Sequence, residues 1–298
     1  MVDLDSRLLR AFVAVADDLS FTRAAEGLHL SQQALSNQVR QLEARVGVPL
    51  FERTTRRVSL TAAGRALLPH ARDALAAMRE GTEAARRASG DGPVLAVAVF
   101  PLASTELGGR ILRRFAAEHP QTALEVGTLG MPDAVAALRE ARAHVAFVRP
   151  PFASGGISMV TILTEPRVAA VAADHPLASG DGVDPAALAR EPQVFVEGAD
   201  AVQTDYWCLA EYRGDAPLVI GARMTGFDSF FEVVSAGLAV GACPASAAQT
   251  LGPSFPGVRF LPIDGVPPCT VAVAWPTAGE TPATRAFVAT ALAEAAGN

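Results

Sequence analysis

The chain has 298 residues, 50% apolar and 19% charged, with a formal net charge of −6. That length suits two or three compact units with cores of their own, and the composition excludes a disordered chain. Cys208, Cys243 and Cys269 are odd in number, far apart and in no metal-ligand spacing, which suits a reducing cytoplasm.

The acidic start, MVDLDSR, argues against a signal peptide, and no apolar run approaches the roughly 18 residues of a membrane span. The charge is unevenly spread. Residues 1–90 hold 13 Arg against 10 acidic residues, a net of +3. The remainder holds 12 Arg against 21 acids, a net of −9, and no Lys occurs anywhere. A basic front half suits nucleic acid even where the whole chain is acidic.

The first elements read as helices. Leu8, Phe12, Val15 and Ala16 form one stripe behind a cap near Asp5, and a short helix follows from about Ser20–Thr22 to Gly27. Ser31 then caps QQALSNQVRQLEARV, which Gly47 and Pro49 close. Leu35, Val39, Leu42 and Val46 fall within about 60° of that helix. Ser36, Asn37, Arg40, Gln32 and Gln33 span a separate sector of about 140°. PLFER and RVSLT make a hairpin whose tip, TTRR, gathers Arg53, Arg56 and Arg57.

Thr61 caps a long helix over 62–88 with the seam Leu67, Ala71, Leu75 and Met78, and Pro69 should bend it. A lone helix with such a seam needs a cover, which reads as a second copy; packing on its own chain is the alternative. After SGDGP, strands and helices alternate: VLAVAVF, STELGGRILRRFAAEHP, ALEVGT, PDAVAALREAR and HVAFV. A second series runs from about residue 164, with a helix near 200–213, and TVAVAW and TPATRAFVATALAEA end the chain. This is the pattern of two α/β units with mainly parallel sheets and a cleft between them.

Two short helices joined by a turn, the second presenting Gln, Ser, Asn and Arg, are what reading the major groove requires. Amides pair with adenine, Arg with guanine, and hydroxyls with phosphate or base. The Arg-tipped hairpin suits phosphate or minor-groove contact. The alternative is a polar, solvent-facing helix of a three-helix bundle.

The stretch LLRAFVAVADDLSFTRAAEGLHLSQQALSNQVRQLEARVGVPLFERTTRRVSLTAAGRALLPHAR, residues 8–72, resembles the DNA-binding region of LysR-type transcriptional regulators without a gap. HPLA at 175–178 and the order of the later elements fit as well. The resemblance implies a multidomain chain. A mainly-α winged helix-turn-helix would occupy 1–60 and a dimerising linker helix 61–90. An α/β, two-lobed, periplasmic-binding-protein-like effector domain would occupy 91–298. Lobe I would cover about 93–162 and 269–298, and lobe II about 163–268. It further implies promoter DNA, a small-molecule effector, a homodimer or homotetramer, and RNA polymerase as partners, with no membrane, no resident cofactor and a cytoplasmic setting.

By position in that resemblance, Ser31, Gln32, Gln33, Ser36, Asn37 and Arg40 lie on the recognition helix and Arg53, Arg56 and Arg57 on the wing. The family often has Pro where Gln33 stands, so Gln33 is either an extra reading group or a tolerated first-turn residue. Effector contacts map to 101–105, 127–131, 148–151, 197–204 and 224–228. Ser104, Thr105, Thr128, Arg149, Thr204, Thr225 and Phe227 are the candidates, each with a helix cap or surface residue as the alternative. Ser104 and Thr105 open a helix that could hold an anion, and Arg149 suits a carboxylate. Pro101 and Leu102 replace polar residues, and Met131, Phe230 and the Tyr206–Trp207 pair add apolar surface. The expected effector is therefore an aromatic or carboxylic acid metabolite.

Readings outside this class have less to stand on. No GxSxG, P-loop or metal spacing supports an enzyme, and His29, His70, His119, His144 and His175 are scattered. A transporter's solute-binding protein would need export. A redox switch at Cys208 has no resolving partner nearby in sequence, and a buried thiol is the alternative.

Overall fold

The computed structural model describes residues 5–28, 30–53, 58–88, 92–278 and 280–297. Asp5 opens α1 (Ser6–Asp18), its carboxylate accepting the Arg7 N–H at 2.8 Å. α2 (Phe21–Gly27) and α3 (Gln32–Val46) follow. The Ser31 hydroxyl accepts the Ala34 N–H at 3.1 Å, and Gly47 ends α3 at φ 84°, where a side chain would be strained. Leu35, Val39 and Leu42 are fully buried in one core with Leu8, Phe12 and Val15.

β1 (Phe51–Arg53) and β2 (Val58–Leu60) pair antiparallel, with Phe51 opposite Leu60. The TTRR tip, including Arg56 and Arg57, lies outside the described residues, as does the Arg53 side chain. The Glu43 carboxylate of α3 accepts the Leu50 and Phe51 N–H groups at 2.9 and 3.2 Å. The Phe51 ring packs on Phe12 and Phe21, at centroid distances of 5.5 and 5.8 Å.

Thr61 caps α4 (Ala62–Ala88) by accepting the Gly64 N–H, while its hydroxyl donates to the Pro49 carbonyl; both distances are 2.9 Å. Pro69 lies inside this helix. The expected seam has two fates. Ala71 is buried in the α1–α3 core with Leu67 and Leu75 packed beside it, whereas Met78 is 55% exposed. Its first turns are therefore covered by the chain itself, which corrects the reading of the whole seam as a surface for a second copy.

Lobe I contains β3 (Val94–Val99), α5 (Pro101–Glu118), β4 (Ala123–Thr128), α6 (Met131–Arg139), β5 (Val145–Val148) and β6 (Ile157–Glu165). Lobe II contains β7 (Arg167–Ala172), α7 (Pro185–Arg190), β8 (Gln193–Val196), α8 (Ala201–Trp207), α9 (Ala210–Arg213), β9 (Ile220–Met224), α10 (Phe230–Ser235), β10 (Gly241–Pro244), α11 (Ala245–Leu251) and β11 (Val258–Pro262). β12 (Cys269–Pro276) and α12 (Pro282–Ala296) return to lobe I.

The lobe I sheet has the order β4-β3-β5-β12-β6, parallel through β4, β3 and β5. β12 runs antiparallel to both β5 and β6. Lobe II has an antiparallel sheet, β10-β7-β11, and the parallel pair β8–β9. The sheets are thus more mixed than alternation suggested: β12, returning from lobe II, runs against β5 and β6, and β7 runs against β10 and β11. β6 reaches Glu165 before Pro166 leads into β7, so the crossing lies beyond the expected boundary at 162–163. The expected helix at 200–213 is two, broken at Leu209 with φ 52°. No described helix is long and apolar enough to cross a membrane.

A Cβ at Gly64 would stand 2.2 Å from the Leu50 carbonyl oxygen, where backbone rather than a flexible side chain must yield. Gly64→Ala should destabilise the protein by about 1–3 kcal/mol, read as a lower urea midpoint. A change within about 0.5 kcal/mol would show that α4 approaches β1 less closely than described.

Candidate DNA-binding face and inter-lobe cleft

The buried stripe of α3 turns its other face outward. Ser31, Gln32, Gln33, Asn37 and Arg40 are exposed, and Ser36 is half-buried. The Arg40 guanidinium donates to Asn37 Oδ1 and to Ser36 Oγ, both at 3.3 Å. The Thr22 hydroxyl of α2 donates to Gln32 Oε1 at 3.3 Å. These bonds give the polar face a set arrangement before any partner arrives.

The second feature is a cleft of about 80 Å³ between the lobes. Lobe I contributes Phe100, Met131 and Pro132, and lobe II contributes Val196, Trp207, Met224, Phe227 and Phe230. Phe227 stacks on Phe230 with centroids 4.7 Å apart and meets Phe100 edge-on at 6.5 Å. Four expected effector residues, Arg149, Thr204, Thr225 and Phe227, line this one cleft. Thr128 does not: it ends the edge strand β4, exposed and outside the described lining. The side chains of Ser104 and Thr105 lie outside the described part of α5.

Arg149 has a different task from the one the sequence suggested. It is 2% exposed, and its Nη2 meets Glu165 Oε1 at 2.7 Å. Glu165 Oε2 accepts the Ser246 N–H at 2.6 Å, and Oε1 accepts the Ser246 hydroxyl at 2.9 Å. The Arg149 charge is thus matched inside the protein, where a lone ion would be costly. Nearby, Arg167 is equally buried, donates to the Pro267 and Tyr206 carbonyls, and lies 4.1 Å from the Tyr206 ring centroid. Tyr206, expected at the cleft, is therefore turned to Arg167, and only Trp207 of the pair joins the lining.

Asp200 serves both lobes. Oδ1 accepts the Gln203 N–H at 2.9 Å to cap α8, and Oδ2 accepts the Ala153 N–H of lobe I at 2.7 Å. Gln203, inside the 197–204 segment but not among the candidates singled out from it, lines the cleft at 8% exposure. Its only sequence signal is a place three residues beyond a capping Asp, which sets a helix face without saying what that face meets.

Family models match both halves of the chain. Residues 6–65 match the bacterial regulatory helix-turn-helix protein of the lysR family, and residues 88–296 match the LysR substrate binding domain. The chain belongs to the LysR family. It is a transcriptional regulator with a DNA-binding helix-turn-helix and an effector-binding domain. The Hca operon transcriptional activator HcaR of Escherichia coli is 33% identical over 300 residues, covering 96% of each chain. The regulator AlsR of Bacillus subtilis is 31% identical over 249 residues, covering 83% of this chain and 82% of its own. Full-length CbnR complexed with its target DNA has a TM-score of 0.51 at 29% identity, over 98% of this chain and 100% of that one.

In this LysR-family regulator Cys208 is 4% exposed, and its thiol donates to the Val194 carbonyl at 3.8 Å. Burial pushes the thiol up to about 11, against a smaller opposing pull from Arg213. The group stays a neutral thiol at physiological pH, the form least prone to oxidation. Alkylation of Cys208 by iodoacetamide at pH 7.5 should run at least roughly tenfold slower than that of a free cysteine and accelerate only as pH approaches 11. Fast labelling near pH 8, located by peptide mass spectrometry, would contradict this. Glu165→Ala should strand the buried guanidinium and cost about 3–5 kcal/mol by thermal or urea unfolding. A near-neutral result would mean that Arg149 finds another anion.

Proposed function

We propose that the chain binds promoter DNA sequence-specifically through α3 and that a small-molecule effector in the inter-lobe cleft modulates this binding. The observation that carries the reading is the α3 face itself: exposed amides and Arg40 opposite a fully buried stripe. Amides and guanidinium groups are the side chains that discriminate base edges in the major groove. Gln32, Gln33, Asn37 and Arg40 serve as readers, with Ser36 orienting Arg40. Ser31 spends its hydroxyl on the helix cap. Arg53, Arg56 and Arg57 serve phosphates, which adds affinity more than selectivity.

The apolar walls of the cleft favour an effector with an aromatic body. Arg149, Thr204, Thr225 and Phe227 belong to that site, with Arg149 as part of its frame. Met78, bare beyond the stretch of α4 that α1 covers, supports pairing of α4 with a second copy, as a homodimer or within a homotetramer. The protein acts in the cytoplasm on transcription by RNA polymerase, with an exchangeable effector in place of a resident cofactor and with no catalytic residue.

Fluorescence anisotropy on the region upstream of its own gene should give nanomolar-range binding that falls steeply with salt. Equal affinity for random DNA at physiological salt would refute sequence reading. Asn37→Ala should relax discrimination at particular base pairs by about 1–3 kcal/mol, while Arg56→Ala should weaken all sequences alike. Identical behaviour of the two variants would overturn the division of roles.

A further inference from the structure

The polar face of α3 is bonded within the protein, and the bonding is one-sided. The Thr22 hydroxyl of α2 donates to Gln32 Oε1 at 3.3 Å, which turns that amide oxygen back towards α2. The Arg40 guanidinium donates to Asn37 Oδ1 and to Ser36 Oγ, both at 3.3 Å, so a second amide oxygen is held in the same way. An amide carries its oxygen and its NH2 group on separate arms, and holding the first sets the direction of the second. Gln32, Asn37 and Arg40 are all exposed. What they hold out to a partner are therefore N–H donors: two amide NH2 groups and the remaining hydrogens of a guanidinium. We propose that Thr22 is a positioning residue for base selection. By keeping the Gln32 oxygen it makes Gln32 a reader that only donates, as Arg40 does for Asn37. The bases facing Gln32 and Asn37 are then keto bases, guanine or thymine, in preference to adenine. The inference rests on α3 being the face that reads DNA.

The physical ground is the donor and acceptor pattern of the major groove. An amide pairs bidentately with adenine only if its oxygen accepts from N6 while its NH2 group donates to N7. Bringing the Gln32 amide square to an adenine edge would break the Thr22 bond, and adenine has nothing to offer the hydroxyl in return. Guanine presents two acceptors, N7 and O6, and thymine presents O4, so both suit a group that only donates. Cytosine presents its N4 donor and would set donor against donor. The same bond also decides what Thr22 itself can do. With its proton committed to Gln32, the hydroxyl keeps only lone pairs, and a phosphate, which accepts and does not donate, gains no hydrogen bond from it. A neutral bond on an open surface contributes modestly, so the selectivity it sets is about three- to tenfold per base.

Selection of duplexes from a random pool by the full chain, followed by fluorescence anisotropy on single-base variants of the selected site, tests this. Gln32→Ala and Asn37→Ala should each flatten the preference at one base-pair position. In the unaltered chain those two positions should read guanine or thymine, with adenine about three- to tenfold weaker. Thr22→Val should bring adenine to within about twofold at the Gln32 position alone, leaving the Asn37 position and the salt dependence as they were. Thr22→Ser, which keeps the hydroxyl, should retain the original preference. Adenine selected at either position would overturn the inference, as would a Thr22→Val chain with unchanged preferences or with affinity lowered for every sequence alike; in each case α3 would remain the reader. Base preferences indifferent to both Gln32→Ala and Asn37→Ala would remove that reading of α3 and the inference with it.

Discussion

A guanidinium and a carboxylate of lobe I, 2.7 Å apart and closed off from water, form the buried charge pair onto which Ser246 of lobe II is fastened. Arg149 follows the last residue of β5, Glu165 ends β6, Ser246 opens α11, and Cys269, which begins β12, brings its sulfur to 3.6 Å from Arg149. One network therefore ties the lobe I sheet to the outgoing strand, the returning strand and a helix of lobe II. Neither ion tolerates the interior alone, and because both stand on lobe I, parting the lobes would leave the pair whole and break the Ser246 bonds to Glu165 and Arg149. The same pairing makes the cleft possible in its apolar form, since a wall containing Arg149 carries no net charge at that point.

The DNA-binding end repeats this economy of anchoring on a smaller scale. Glu43 stands on α3, and its carboxylate takes the N–H groups of Leu50 and Phe51 at the start of β1. Phe51 in turn fills the space between Phe12 and Phe21. Thr61 then joins Pro49 to the first turn of α4. The strand that leads to the wing is thus held by the recognition helix itself, so the face that reads bases and the hairpin beside it turn as one body.

How much of this was legible in the sequence depends on whether the signal was local. Ser31, the Leu35–Val39–Leu42 stripe and Gly47 define α3 from adjacent residues alone, because capping and helical periodicity are short-range physics. Phe227, Thr204 and Thr225 were reached through segment position. Arg149 was located but its task was misread, since its partner Glu165 lies on a strand that the alternation of elements did not separate. Thr128 lies apart from the described cleft lining, since an edge strand's end looks, in sequence, like any βα turn. The α4 seam showed a stripe but not its cover: periodicity says that a face will be buried, and only packing says against what. Gln203 lies inside the mapped 197–204 segment, yet an amide in a short helix is ordinary until its surroundings turn out to be aromatic.

Asp200 has two separate loyalties, one oxygen to its own helix and one to the opposite lobe. Parting the lobes would break the Ala153 bond and leave the helix cap whole. α8 would stay wound, and Gln203 would stay aimed. Since the lost bond lies where water can replace it, its net worth is on the order of 1 kcal/mol. One contact between the lobes can thus be given up cheaply at the protein surface while α8 keeps its capped first turn.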